Sequence, residues 1–275
     1  MTHIDPHLPT IRTETITSID GTPLGIRHLG SGSPIVLVHG SVSTGESWLP
    51  VASFLAADHS VFVLDRRGRG LSGDAHDYTV STEAADIAAV VARASEETGA
   101  PPTLLGHSYG AICTLEAVRL GLDVAALVLY EPPLPVDGPV AGNYLAPYAA
   151  AVAASDYDAA MRIALEHFVR LSRAEIEMMV ATPMWGEFLH LAPSWTRELA
   201  ETDRSVTHLS EYGSLAVRSL LLVGEYSPAH LVGASAFLES KLPNATRQVL
   251  EGQGHSANVM TPSLIADAIH SFMVQ

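Results

Sequence analysis

A chain of 275 residues, 47% hydrophobic and 16% charged, has room for one sizeable core plus an insertion and lies far from the composition of a disordered chain. Fifteen basic against 30 acidic side chains leave a formal charge of −15, which repels the phosphates of nucleic acid and anionic membrane faces, so neither is expected as a partner. The single cysteine, Cys113, can form neither an intramolecular disulfide nor a Cys-based metal cluster, and the sequence calls for no cofactor and no metal.

The first ten residues, MTHIDPHLPT, carry neither a basic nor an apolar targeting region, and no later stretch reaches spanning length without charges, which leads us to expect a cytoplasmic protein. Ile11 to Ser18 and Thr22 to His28 are strand-like runs joined by Asp20-Gly21, a hairpin signal. Four short apolar stretches follow: Ile35 to Val38, Val61 to Leu64, Leu104-Leu105 and Ala126 to Tyr130. Continuous runs of this kind suit strands covered on both faces. Helical patterns lie between them, at Glu46 to Ala57, Ser81 to Thr98 and Tyr109 to Leu120.

Strand and helix in strict alternation imply right-handed crossovers and a doubly wound α/β sheet, in which ligands bind beyond the carboxyl ends of the strands. From about Leu134 to Gly213 the alternation gives way to Ala-rich helical sequence. It resumes with Val217 to Val223, a helix near Ala229 to Leu242, a strand near Thr246 to Leu250 and a last helix from Ser263 to Met273. The expected organisation is therefore a core of residues 1–133 and 214–275 around a helical cap of residues 134–213.

The residues just after each apolar run carry the chemistry. Gly106-His107-Ser108-Tyr109-Gly110 fits G-x-S-x-G between a strand and a helix, the setting of a nucleophile elbow, in which small neighbours let the backbone close tightly around an exposed serine. A serine that merely caps the next helix is the plainer alternative for the motif taken alone.

Four landmarks in order carry a family resemblance: His39-Gly40 after the third strand, Asp65-Arg66-Arg67-Gly68-Arg69-Gly70-Leu71-Ser72 after the fourth, the elbow after the fifth, and Gly254-His255 before the last helix. With these the chain resembles the α/β-hydrolase family over nearly its whole length, the insertion excepted. The resemblance implies a mostly parallel eight-stranded sheet with Ser108 as nucleophile and His255 as general base. It also implies an oxyanion hole from the backbone amides of Ser41 and Tyr109. An imidazole with an ordinary value near 6.5 can take the serine proton and return it to a leaving group. For His39 a packing role under the turn is favoured, and for Asp65 with Arg66, Arg67 and Arg69 a turn held by internal ion pairs.

The third catalytic member departs from the common pattern. Most relatives place an Asp after the seventh strand; here Val223-Gly224-Glu225-Tyr226-Ser227-Pro228 puts Ser227 at that position, and a neutral hydroxyl cannot stabilise an imidazolium. Glu131, directly after the sixth strand, is the first choice for the acid, as in some α/β-hydrolases that carry it there; Glu225 is second and Asp137 third.

A serine nucleophile separates the chain from the epoxide hydrolases and haloalkane dehalogenases and points to acyl transfer from an ester, lactone or thioester. The insertion is expected to cover Ser108, and its Met and aromatic residues, Tyr148, Met178, Met179 and Trp195 among them and Tyr144, Met184, Trp185 and Phe188 foremost, to wall a pocket for a hydrophobic small molecule. Two other classes fit the same fold: a ligand-binding, receptor-like protein with a vestigial triad, and a cofactor-free enzyme of elimination, cyclisation or perhydrolysis.

Overall fold

The computed structural model describes residues 10–274. Eight strands form one sheet in the order β1-β2-β4-β3-β5-β6-β7-β8. They are β1 (Arg12–Thr17), β2 (Pro23–Gly30), β3 (Ser33–Val38), β4 (His59–Leu64), β5 (Thr103–His107), β6 (Ala126–Tyr130), β7 (Ser219–Gly224) and β8 (Ala245–Leu250). The hairpin strand β1 pairs antiparallel with β2, and β2 antiparallel with β4, while every other pairing is parallel. The apolar runs end up inside because both faces of the parallel strands are covered.

Alternate residues of each strand enter opposite layers. Val36, Val38, Leu104, Leu127 and Leu129 pack on one face against α2 (Val80–Thr98), α3 (Tyr109–Arg119) and α8 (Ala229–Lys241). On the other face Ile35, Leu37, Leu105, Val128 and Tyr130 meet α1 (Leu49–Leu55), the short α9 (Ala257–Met260) and α10 (Pro262–Met273). Each fully buried Leu, Val or Ile here contributes roughly 1.5–3 kcal/mol of apolar transfer energy before chain entropy is counted.

Sheet order fixes where a site can form. From β3 the chain crosses to β4 on one side, then returns past β3 to β5 on the other, so the winding reverses between β3 and β5. The crevice beyond the carboxyl ends of those two strands is the ligand position in open sheets of this kind.

Between β6 and β7 lie four helices, α4 (Leu145–Ala153), α5 (Tyr157–His167), α6 (Arg173–Val180) and α7 (Trp185–Arg204), with short 3₁₀ turns at either end. They share an apolar cluster of their own built on Tyr148, Met161, Phe168 and Trp195. Val42, from the loop after β3, is the one residue in that cluster that precedes β6 in the chain. Among the described residues no helix is long and apolar enough to cross a membrane.

Candidate active site

The turn after β5 carries Ser108 at φ 54° and ψ −124°, a backbone conformation that L-residues adopt only under strain. Its neighbours show why glycine is required. A Cβ on Gly106 would lie 2.5 Å from the Ala111 Cα, and one on Gly110 would lie 2.4 Å from the His39 carbonyl oxygen, so larger side chains would force the elbow apart. The Ser108 amide donates to the Tyr130 carbonyl at 2.9 Å, which ties the elbow to the end of β6.

Glu131 follows Tyr130 at once, also at positive φ (49°), and is fully buried. Its Oε1 accepts from the Gly224 amide at 2.6 Å, and its Oε2 lies 2.6 Å from His255 Nδ1. A carboxylate beside that nitrogen fixes the ring proton on Nδ1 and leaves Nε2 as the basic position. Ser108 and His255 line the same cavity, and neither the serine hydroxyl nor Nε2 is committed to another hydrogen bond among the described residues.

The histidine loop is held by two residues that sequence reasoning left aside. His107 Nε2–H donates to the His255 carbonyl at 3.0 Å, and the His107 ring stacks on Tyr130 at 4.7 Å. Burial, with the His255 charge beside it, holds His107 well below the usual histidine range, so it stays a neutral strut. The Tyr130 hydroxyl donates to the Gly254 carbonyl and accepts from the Ala257 amide. The only signal for these roles in the sequence was adjacency, His107 beside Ser108 and Tyr130 beside Glu131.

The turn after β3 closes the other side. Ser41 and Tyr109 both line the cavity with Ser108, and neither backbone N–H has an acceptor among the described residues. Val42 takes a positive φ of 48°, a third strained residue around this crevice. His39 is fully buried beneath the turn: Nδ1–H donates to the Gly40 carbonyl at 2.8 Å and Nε2 accepts from the Arg66 amide at 3.0 Å. Burial, reinforced by Arg66, pushes its value well down.

The arginine-rich turn after β4 is wired internally. Asp65 accepts from the Gly45 and Leu71 amides and from Arg27, and Arg67 makes two bonds to Asp86 at 2.6 and 2.7 Å. Arg66 donates to Glu83 at 2.7 Å, to Glu198 of α7 at 2.6 Å and to the carbonyls of His39 and Gly40, while Arg69 also reaches Glu198 at 2.6 Å. Burial by itself would raise Glu198; Arg66 and Arg69, with the Ser41 hydroxyl beside it, bring it below the usual carboxylate range.

Neither of the other two acid candidates has a hydrogen bond to His255 among the described residues. Glu225 is exposed and accepts from the Gly252 amide at 2.7 Å, a turn contact, and Asp137 is exposed as well. The cavity itself has two lobes that share Ser41, Ser108, Val169, Trp195 and His255. Phe188 lines the second lobe. The expectation for the other three cap residues is corrected, since none lines either lobe. Tyr144 is 46% exposed and stacks on His167 at 3.5 Å; Met184 is 48% exposed; Trp185 turns its Nε1–H to Asp158 at 3.0 Å and its face toward Arg162. Trp195 and Met179, with Phe168 and Met161, supply the walls.

This combination of sheet order, elbow and histidine loop is that of the α/β hydrolases. Residues 35–268 match the model of the alpha/beta hydrolase family, and the chain belongs to that family. An alpha/beta hydrolase from Sphaerobacter thermophilus DSM 20745 superposes with a TM-score of 0.84 at 32% identity, covering 94% of this chain and 100% of that one. An esterase from Rhodococcus sp. ECU1013 superposes at 0.76 with 25% identity over 96% and 98% of the two chains. The N-formylmaleamate deformylase of Pseudomonas putida is 38% identical over 117 residues, 42% of each chain, and the chain spans less than half the length of the curated relatives it matches.

Proposed function

We propose that the protein is a serine hydrolase that cleaves an ester, lactone or thioester of a hydrophobic small molecule, with residues 134–213 as a cap over the site. The observation that carries the reading is the 2.6 Å contact between the buried Glu131 and Nδ1 of His255, a residue that lines one cavity with Ser108. The names of similar proteins, a deformylase and an esterase, are in keeping with acyl transfer to water.

In this mechanism His255 Nε2 takes the Ser108 proton as Oγ attacks the acyl carbon, and Glu131 stabilises the imidazolium that forms. The tetrahedral oxyanion is received by the N–H groups of Ser41 and Tyr109, each worth about 3–4 kcal/mol in the transition state. His255 then returns the proton to the leaving group, and a water molecule, deprotonated by the same ring, releases the acid from Ser108. The apolar lobes exclude competing water and hold the two sides of the bond.

Fluorophosphonate labelling followed by peptide mapping, together with p-nitrophenyl ester turnover, tests the proposal. Label on Ser108, and loss of both labelling and turnover in Ser108→Ala, is the expected result. Ester turnover that survives in Ser108→Ala would show that no acyl-enzyme forms on this residue.

A further inference from the structure

Resting on the hydrolase reading, we propose that His230 and Arg170 form a recognition site for a free carboxylate on the substrate, so that the favoured substrates are half-esters whose second acid group enters the first lobe.

That lobe is walled by apolar groups such as Val140, Phe168, Leu199 and Leu231. Beyond Ser108 and His255, its side chains able to hydrogen-bond are Ser41, Tyr109, Trp195, Thr202 and His230. Three of these are already engaged: the Ser41 hydroxyl lies beside Glu198, the Thr202 hydroxyl donates to the Glu198 carbonyl at 2.9 Å, and the Tyr109 hydroxyl accepts from Tyr78 at 3.2 Å. Of the two that remain, Trp195 and His230, only His230 also holds a buried nitrogen with no partner among the described residues. It stands at the second position of α8, and neither ring nitrogen has a hydrogen-bond partner among the described residues.

The ring is polarised by its surroundings. Nδ1 is buried with no acceptor in reach, and a bare lone pair is tolerated there better than an orphaned N–H. That places the ring proton on Nε2, leaving one donor for an oxygen in the lobe. Burial, and next the charge of Arg170, lower His230 to about 4, so the imidazole is neutral at pH 7 and binds as a hydrogen-bond donor.

Arg170 explains why the incoming oxygen is anionic. Most arginines of this acidic chain are consumed in ion pairs, as at Arg66, Arg67, Arg69 and Arg119. Arg170 is exposed, sits at positive φ (64°) directly after the lobe residues Phe168 and Val169, and has no carboxylate partner among the described residues. The backbone that carries it runs directly on from the lobe wall at Val169. The other charges nearby do not cancel it: Glu131 is spent on His255, and Asp137, which approaches Gly233 one turn along α8, is exposed and outside the lobe. A neutral N–H with an unpaired guanidinium nearby favours an acceptor with a full negative charge over an ether or a carbonyl.

Two chromogenic esters test the proposal, p-nitrophenyl hydrogen glutarate and its neutral counterpart p-nitrophenyl methyl glutarate. The expected result is a kcat/KM at least about tenfold higher for the acid, the size of a hydrogen bond to a charged group. His230→Leu should bring the ratio near one, His230→Gln, which keeps a donor, should leave it intermediate, and Arg170→Gln should lower it several-fold. Equal kcat/KM for the two esters in the wild type, or a preference that survives His230→Leu, overturns the assignment. Calorimetric binding of monobenzyl glutarate and benzyl methyl glutarate to Ser108→Ala reads the same preference without catalysis, and equal affinities there count against the site even if neither ester turns over. The hydrolase reading is judged separately: turnover of either ester by Ser108→Ala defeats it whatever the binding ratio, and loss of turnover in that variant upholds it whatever the ratio.

Discussion

Three residues without glycine's freedom hold positive φ around one crevice: Val42 at 48°, Ser108 at 54° and Glu131 at 49°. Each such conformation costs about 1–3 kcal/mol, and strain of this kind persists where surrounding contacts over-determine it. At Glu131 those contacts are the Gly224 amide and His255 Nδ1, one on each carboxylate oxygen. In Glu131→Gln the side-chain carbonyl can keep the Gly224 bond, but the amide then presents N–H groups to Nδ1. The imidazole must accept there, which moves its proton to Nε2 and, in the proposed mechanism, removes the base. We therefore expect kcat on a p-nitrophenyl ester to fall about 10³- to 10⁴-fold with the thermal midpoint little changed. Glu225→Gln, which alters only an exposed turn contact, should stay within about twofold. Wild-type turnover in Glu131→Gln would remove that residue from the mechanism. The sequence pointed to Glu131 because it directly ends an apolar strand run, and strand ends are where a parallel sheet gathers its chemistry. It did not point to His107 or Tyr130, since stacking and clamping leave no spacing pattern.

Between elements, the main coupling runs from α7 through Glu198 to Arg66 and Arg69, and from Arg66 to the carbonyls of His39 and Gly40 under the turn that bears Ser41. All four ionic side chains, Glu83 included, are buried, so removing one leaves a charge without compensation. Glu198→Ala should destabilise the protein by about 3–5 kcal/mol in chemical denaturation. The sign of the pH dependence follows from the lowered value of Glu198. Its contribution is complete above the unfolded carboxylate range, near pH 4.3, and fades as the pH falls through the folded value. The stability gap between wild type and Glu198→Gln should thus narrow on acidification from pH 6 to pH 3; a gap constant over that range would show that Glu198 acts by packing alone. Strands and helices of the sheet were legible because burial on two faces writes continuous apolar runs, and observed ends such as Ser33–Val38 and Val80–Thr98 lie within two residues of the expected ones. The insertion was legible as helical and as a source of Met and aromatic walls. Its Ala-rich stretches are apolar on more than one side, so nothing in the spacing separated Trp195, which lines the cavity, from Trp185 and Tyr144, which do not.

For the whole molecule the governing quantity is the charge of −15. A folded chain of this length has a radius of gyration of about 19 Å. At about 0.01 M salt the screening length is about 30 Å, so every surplus carboxylate repels every other; at about 0.15 M it shrinks to about 8 Å and only near neighbours interact. Exposed pairs such as Arg162 with Asp158 and Arg247 with Glu239 lose strength over the same range, but each is worth only about 0–1 kcal/mol. The buried Arg66 and Glu198 cluster is shielded from the solvent ions and changes little. Relief of the net repulsion wins, and the thermal midpoint should rise by about 2–4 °C between those salt concentrations, equivalent to about 1 kcal/mol for a domain of this size. Sodium and potassium chloride should act alike, since screening depends on ionic strength rather than on exclusion from the surface. A midpoint that falls as chloride is added would mean that the surface pairs outweigh the surplus, and the acidic balance would then be a cost that the fold offsets locally, pair by pair.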